Sequence, residues 1–404
     1  MKDADNVLTR LFPELNNGVE YKKLGEVCVM QRGTSMTKKN AIEGDIPVIS
    51  GGREPAFYIN QSNREGETIT VAGSGAGAGY VQYWNEPIFV NDAFSVKGSE
   101  ELLTKYVYYC MKNMQEQITG TQKGGGVPHV HISSIDNFEI PVPPIEVQSK
   151  IVEILDNFTE LEAELEAELE ARRKQYEYYR NQLLTFDLPD GKAGKDKGAR
   201  FDVKWMKLGD MCEIRGRIGF RGYTIKDQVE KGEGALTLTA SNIVKQHIDY
   251  NKNTYITWEK YYESPEIMVK NGDIIVCQRG SIGKIAIVEH LNEEATINPQ
   301  LLLLKNIHCN NKYLTYYLTS NHFQKSLSKI VGHGTVQMIA QKDLKNLLIP
   351  IIPEQEQQRI VSILDRFEAL TTDLQSGLPA EIEARRKQYE YYREKLLTFK
   401  RKSA

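Results

Sequence analysis

Cysteine is scarce and scattered in this chain: Cys28, Cys110, Cys212, Cys277 and Cys309 contain no CxxC pair. An odd, dispersed set argues against a zinc ribbon or a disulfide framework and for reduced thiols. Nowhere do 18 apolar residues stand together, and the first residues, Met1 to Asp5, carry no apolar leader run. A soluble, cytoplasmic protein with no membrane contact is therefore expected. Charge of either sign is also nearly lacking in sum, with a formal net of −3. The sum hides segregation. From Glu146 to Glu170 there are nine acidic residues and one lysine, whereas Ala384 to Ala404 holds eight basic residues and two glutamates.

What is present is a duplication. Ala171-Arg172-Arg173-Lys174-Gln175-Tyr176-Glu177-Tyr178-Tyr179-Arg180 recurs unchanged from Ala384 to Arg393. The echo extends outward: Ile151, Leu155, Asp156 and Phe158 answer Ile360, Leu364, Asp365 and Phe367, and Leu183 to Phe186 answers Leu396 to Phe399. Fainter matches reach the preceding blocks, as in Lys23-Leu24-Gly25 and Lys207-Leu208-Gly209. Each half runs from a divergent block into a near-identical helical one, a frame held constant beneath two different surfaces.

Pro143 and Pro144 end an extended stretch, and the pattern then turns helical. Ile151, Leu155, Phe158, Leu161, Leu165 and Leu169 form a stripe with steps of three and four, and the second block supplies Ile360, Leu364, Phe367, Leu370, Leu374 and Leu378. A helix of about 35 residues, roughly 50 Å long, with so narrow a stripe needs a partner helix. Ser376-Gly377-Leu378-Pro379 predicts a break, with Pro379 in the first turn of a new helix.

The divergent blocks read as strands and turns. Thr68 to Ala72 leads into a glycine-rich turn, Gly73 to Gly79, and then Tyr80 to Trp84; Asp273 to Cys277, Gly280-Ser281-Ile282-Gly283 and Ile285 to Val288 repeat the pattern. A nucleotide loop would need a helix after the glycines, and a strand follows. The better reading is a turn whose free amides admit another backbone. Asn85-Glu86-Pro87-Ile88-Phe89 lacks the paired prolines of an amino-methyltransferase motif. His129-Val130-His131 has Met338-Ile339-Ala340 as its counterpart, so a metal pair is not required by the fold. No catalytic residue and no metal ligand is assigned.

Polar and basic residues on turn-rich surface remain. In the first block these are Arg32, Lys38, Lys39, Arg53, Ser74, Asn91, Lys123 and His129; in the second, Arg215, Arg217, Arg221, Arg279, Ser281, Lys284, Asn298 and Gln337. Such side chains pair with phosphates and base edges, and they form the candidate DNA-binding set.

The order of variable block, proline-rich exit and Arg-Arg-Lys-Gln-Tyr-Glu-Tyr-Tyr-Arg helix, given twice, closely resembles the specificity subunit of type I restriction–modification enzymes. Pro143-Pro144-Ile145-Glu146-Val147-Gln148 and Ile352-Pro353-Glu354-Gln355-Glu356-Gln357 fit as well. The resemblance implies an α/β (α+β) fold: two mixed α/β target recognition domains related by pseudo-two-fold symmetry, separated by an antiparallel coiled coil. The expected segments are 1–142 and 203–351 for recognition, 143–186 and 352–404 for the spacer helices and basic tail, and 187–202 as linker. It further implies double-stranded DNA with a bipartite target as ligand, and two methyltransferase subunits and motor-nuclease subunits as partners. S-adenosylmethionine, ATP and magnesium would be bound in those partners, with no cofactor in this chain. A coiled-coil adaptor without DNA readout, or a methyltransferase in its own right, are the competing readings.

Overall fold

The computed structural model describes residues 11–15, 17–124, 126–186, 202–219, 222–332, 337–372 and 377–402. The chain divides into two compact units, the first of them assembled from two separate stretches of sequence. One comprises Met1–Ala167 with Ala380–Ala404, the other Glu168–Pro379.

In the first unit, an antiparallel sheet is ordered Cys28–Arg32, Ala93–Gly98, Thr68–Ala72 and Val81–Trp84. The second unit repeats that order with Glu213–Gly216, Leu301–Lys305, Ile274–Cys277 and Ile285–Ile287. Both central strands, Thr68–Ala72 and Ile274–Cys277, are buried along their whole length, which explains why neither shows polar alternation. A small mixed sheet accompanies each, built around the parallel pairs Val48 with Phe89 and Leu236 with Ala295. In the second unit it has five strands, against three in the first. Divergence is concentrated there, with an added hairpin of Ile243–Val244 and His247–Ile248.

The long helix runs unbroken over Ile145–Leu184, 40 residues or about 60 Å at ~1.5 Å per residue. Pro144 starts it by offering its carbonyl to the amides of Val147 and Gln148, and Pro353 does the same for Glu356 and Gln357. The second helical block forms two helices, Glu354–Thr372 and Leu378–Leu397. Pro379 lies in the first turn of the latter, where its missing donor costs nothing.

Within the first unit the start of the long helix packs against the C-terminal helix. Phe158 meets Tyr389 and Tyr392, and Glu162 and Glu166 reach back to Arg386, so the two run antiparallel. Leu396, Leu397 and Phe399 complete this unit's core. In the second unit Tyr176 and Tyr179 pack on Phe367, and Leu184 and Phe186 enter the core. Each unit is thus closed by the helix end belonging to the other half of the repeat.

The seam departs from the leucine stripe. Leu161 is 47% and Leu370 38% exposed. Steps of alternating four and three from Leu155 pass through Phe158, Glu162, Leu165 and Leu169, leaving Leu161 one position off the contact line. Likewise Thr371, 2% exposed, takes the inward place beside Phe367 in preference to Leu370. Leu165 and Leu169 are half-buried, Ile151, Leu155, Ile360, Leu364 and Leu378 are buried, and Leu374 lies outside the described residues.

Matched polar contacts pin helix to block. Asp156 accepts from Tyr109 (2.5 Å) and Lys105 (2.8 Å); Asp365 accepts from Tyr316 (2.6 Å) and Lys312 (3.2 Å). Gln148, fully buried, accepts from the Leu103 amide and donates to the Pro143 carbonyl, and Gln357 does the same with Asn310 and Ile352. A buried amide side chain must be satisfied in this way to be tolerated. The repeated Asp and Gln therefore hold the frame.

Candidate nucleic-acid interface

At one end of the first unit's sheet, Arg32, Asn91, Asp92, His129 and His131 line a cleft of about 560 Å³. Arg32, His129 and His131 are exposed, with the two imidazoles stacked at 6.0 Å. The segment carrying them is held by mutual backbone bonds between Lys123 and His129, and by Val130 donating to Gly73. Ser74 donates to Asp92. Asn91 is partly used internally, accepting from the Met36 amide at 2.8 Å.

Much of the glycine turn's backbone is engaged within the protein. Gly75, Ala78, Gly79 and Tyr80 all donate within the protein, to Pro128, Gly75, Ala72 and Gly77. A Cβ on Gly77 would stand 2.4 Å from the Gly51 carbonyl oxygen. The close backbone approach is to the chain's own loop.

The same place exists in the second unit with other chemistry. Ser74 bridges to His129 in one unit; Arg279 bridges to Met338 in the other. Ile339 donates to Gln278 as Val130 does to Gly73. Arg279 is exposed, its Nε 2.9 Å from the Met338 sulfur, and Ser281, Lys284 and Gln337 are exposed around it. One frame presents serine and histidines on one side of the duplication and arginine, lysine and glutamine on the other.

Several expected surface residues lie elsewhere. Arg217 is 8% exposed and donates to the Ile297 carbonyl and Thr296 hydroxyl, with its guanidinium 5.3 Å from the Tyr223 ring. Burial lowers its pKa; it cross-links strands and is not a surface contact. Asn298, 9% exposed, is engaged with Gln300. Arg215 is exposed but paired with Glu213 at 2.7 Å. Lys38 borders a separate hollow with Glu43 and Asp45. Lys39 is exposed near it in the chain, Arg53 lies over Tyr80, and Arg221 is outside the described residues. His131, weighed above only as a metal ligand, and Asp92, which accepts from Ser74, also line this cleft though neither is in the candidate set.

All five cysteines are free, and burial pushes Cys28, Cys110 and Cys212 up to about 12. Thiols so raised are poor nucleophiles. No described helix is long and apolar enough to cross a membrane.

Two like-built units that carry unlike polar loops in the same place define a protein of duplicated recognition. The sequence profile of the type I restriction modification DNA specificity domain matches residues 16–171 and 202–384. The chain belongs to that family and is a type I specificity subunit. A Haemophilus influenzae chain provisionally named a type I restriction enzyme specificity subunit is 32% identical over 427 residues, covering 99% of this chain and all of its own length. The EcoR124I/EcoR124II specificity subunit of Escherichia coli is 30% identical over 404 residues, covering 94% of each chain. In fold, the chain is similar to the S subunit of a type I system from M. genitalium, with TM-score 0.57 and 18% identity over 95% of this chain and 98% of that one.

Proposed function

We propose that each compact unit reads one half of a split double-stranded DNA target, through the loop cluster at Ser74 and His129 in the first and at Arg279 and Met338 in the second. The observation that supports this reading is the identity of backbone position combined with divergence of side chains. Phosphate contacts would position the duplex, while the few base-edge contacts would specify sequence. Two methyltransferase subunits would dock on the assembly, with motor-nuclease subunits joining for restriction; S-adenosylmethionine, ATP and magnesium chemistry would belong to those partners. This chain would supply recognition without catalysis, and the helix Ile145–Leu184 would set the length of the unread spacer.

Methylome sequencing of a host carrying this chain with its methyltransferase tests the reading. A split motif, of which one half changes when residues 19–140 are replaced by another recognition block, is the expected result. A methylated motif that changes in both halves, or that does not depend on this chain, defeats it. Assembly with the methyltransferase but no sequence preference would favour a plain coiled-coil adaptor.

A further inference from the structure

Beside the glycine turn, three cations gather at one corner of the first unit. The Arg53 guanidinium lies 5.0 Å and the Lys112 ammonium 4.4 Å from the centroid of the Tyr80 ring. Lys112 donates to the Val81 carbonyl at 3.3 Å, and the charges that act on it most are Arg393 and Arg53, both of its own sign. Together with burial, these hold its pKa below the usual lysine range. Arg393 reaches the same corner from the C-terminal helix, where its Nε is 3.3 Å from the Asn113 side-chain oxygen and its guanidinium 5.2 Å from the Tyr389 ring. Lys112 and Arg393 open onto a cleft of about 890 Å³. Glu116, Glu390 and Glu394 share that cleft, but among the described residues none forms an ion pair with the three cations.

Like charges gathered without a paired counter-ion, Lys112 and Arg393 half-buried and Arg53 exposed beside them, raise the energy of the free protein, and ring faces offset only part of it. An anion placed among them removes the repulsion. The duplication sharpens the point. Arg180, the counterpart of Arg393, donates to the Thr319 carbonyl, and threonine stands there where the first unit has Lys112. The cluster is thus a property of the first unit and not of the shared frame. Gln115 ties it to the recognition loops by donating to the Gly79 carbonyl at 2.8 Å.

We propose that Arg53 and Lys112, both over the Tyr80 ring, together with Arg393 beside Lys112, form a binding site for a phosphodiester group of the DNA backbone, which extends the first unit's DNA surface onto the C-terminal helix. The inference rests on the DNA-recognition reading above. It makes these residues sequence-independent anchors, distinct from the loop residues that read bases.

The test uses the full chain assembled with its methyltransferase subunits and two duplexes, one carrying the methylome-defined target and one of shuffled sequence. Arg53→Gln and Lys112→Gln are each expected to weaken both duplexes by the same factor. Each should also flatten the dependence of log affinity on log salt by about 0.9 for every phosphate no longer neutralised. Arg53→Lys should keep most of the slope. Because Arg53 is exposed, its variant remains informative should Lys112→Gln fail to assemble. Unchanged affinity and slope in Arg53→Gln, or a loss confined to the target duplex, overturns the proposal. An unsubstituted complex that binds neither duplex would instead bring down the DNA-recognition reading itself.

Discussion

Phe158 stacks on Tyr392 with ring centroids 5.5 Å apart and planes 25° from parallel. Its repeat counterpart, Phe367, stacks on Tyr179 at 5.6 Å and 30°. In both cases the phenylalanine opens one copy of the helical block and the tyrosine closes the other. The near-identity of the two blocks has its cause here, because each must fit a partner supplied by its own duplicate. A double-mutant cycle of Phe158→Leu and Tyr392→Leu is expected to give a coupling of about 0.5–1.5 kcal/mol in unfolding free energy. Additive losses would mean that the rings are merely neighbours.

Truncation after Pro379 should damage the first unit selectively. It removes Leu396, Leu397 and Phe399 from that core, at roughly 1.5–3 kcal/mol for each buried side chain, against a typical domain stability of about 5–15 kcal/mol. Hydrogen exchange should show amides of Ile145–Ala167 losing protection while those of the Ile274–Cys277 strand keep theirs. Equal protection in both units, before and after truncation, contradicts this.

The second unit carries an ionic clasp with no counterpart among the described residues of the first. His247 lies 3.1 Å from Glu368 and 3.9 Å from Glu289, Tyr316 donates to Glu368 at 2.8 Å, and Lys312 lies 3.4 Å from Glu289. The hydrogen bond to Glu368 raises the His247 pKa. Burial pushes Glu368 upward, but hydrogen bonds from His247 and Tyr316 outweigh it and leave it below the usual glutamate range. The histidine's contribution is therefore complete below about pH 6.5 and is lost as pH rises through its raised value; the glutamate's is complete above about 4.3 and is lost on acidification. Half-exposure of His247 keeps the effect small. Melting of the second unit should soften as pH rises above about 6.5, and His247→Gln should remove that slope. An identical pH profile in the variant would remove His247 from the account.

Base reading and phosphate anchoring separate by mutation. Arg279→Ala should cost about 1–3 kcal/mol at one base position of the second unit's half-site and relax preference there. Arg32→Ala should act in the same way on the other half-site. A panel of single-base variants of the target measures both; a uniform loss across the panel would assign either arginine to phosphate.

Leu161-Glu162-Ala163-Glu164 and Leu165-Glu166-Ala167-Glu168 form a four-residue repeat within the long helix. Adding one unit lengthens it by ~6 Å and rotates the downstream part of the helix by roughly 40°, a shift the seam absorbs by local unwinding. The unread spacer should change by about one or two base pairs at ~3.4 Å each, with both half-sites intact. Methylation mapping that returned the original spacing, or altered bases in a half-site, would show that this helix does not set the distance.

The chain's own letters determined whatever is local or collinear: the duplication, helix starts at Pro144 and Pro353, the break before Pro379, and strand–glycine–strand in both blocks. These arise from backbone chemistry within a few residues. Tertiary structure decided what depends on a distant partner. Hydrophobicity alone favoured Leu161 and Leu370 for the seam, yet the phase of a helix is set by the surface it meets, and Glu162, held by Arg386, and Thr371 took those places. Arg217 looked like any surface arginine until a threonine 79 residues away accepted its hydrogen bond. The fate of a long polar side chain depends on which carbonyls and hydroxyls the fold brings within about 3 Å of it, and nothing in its immediate sequence neighbourhood encodes that.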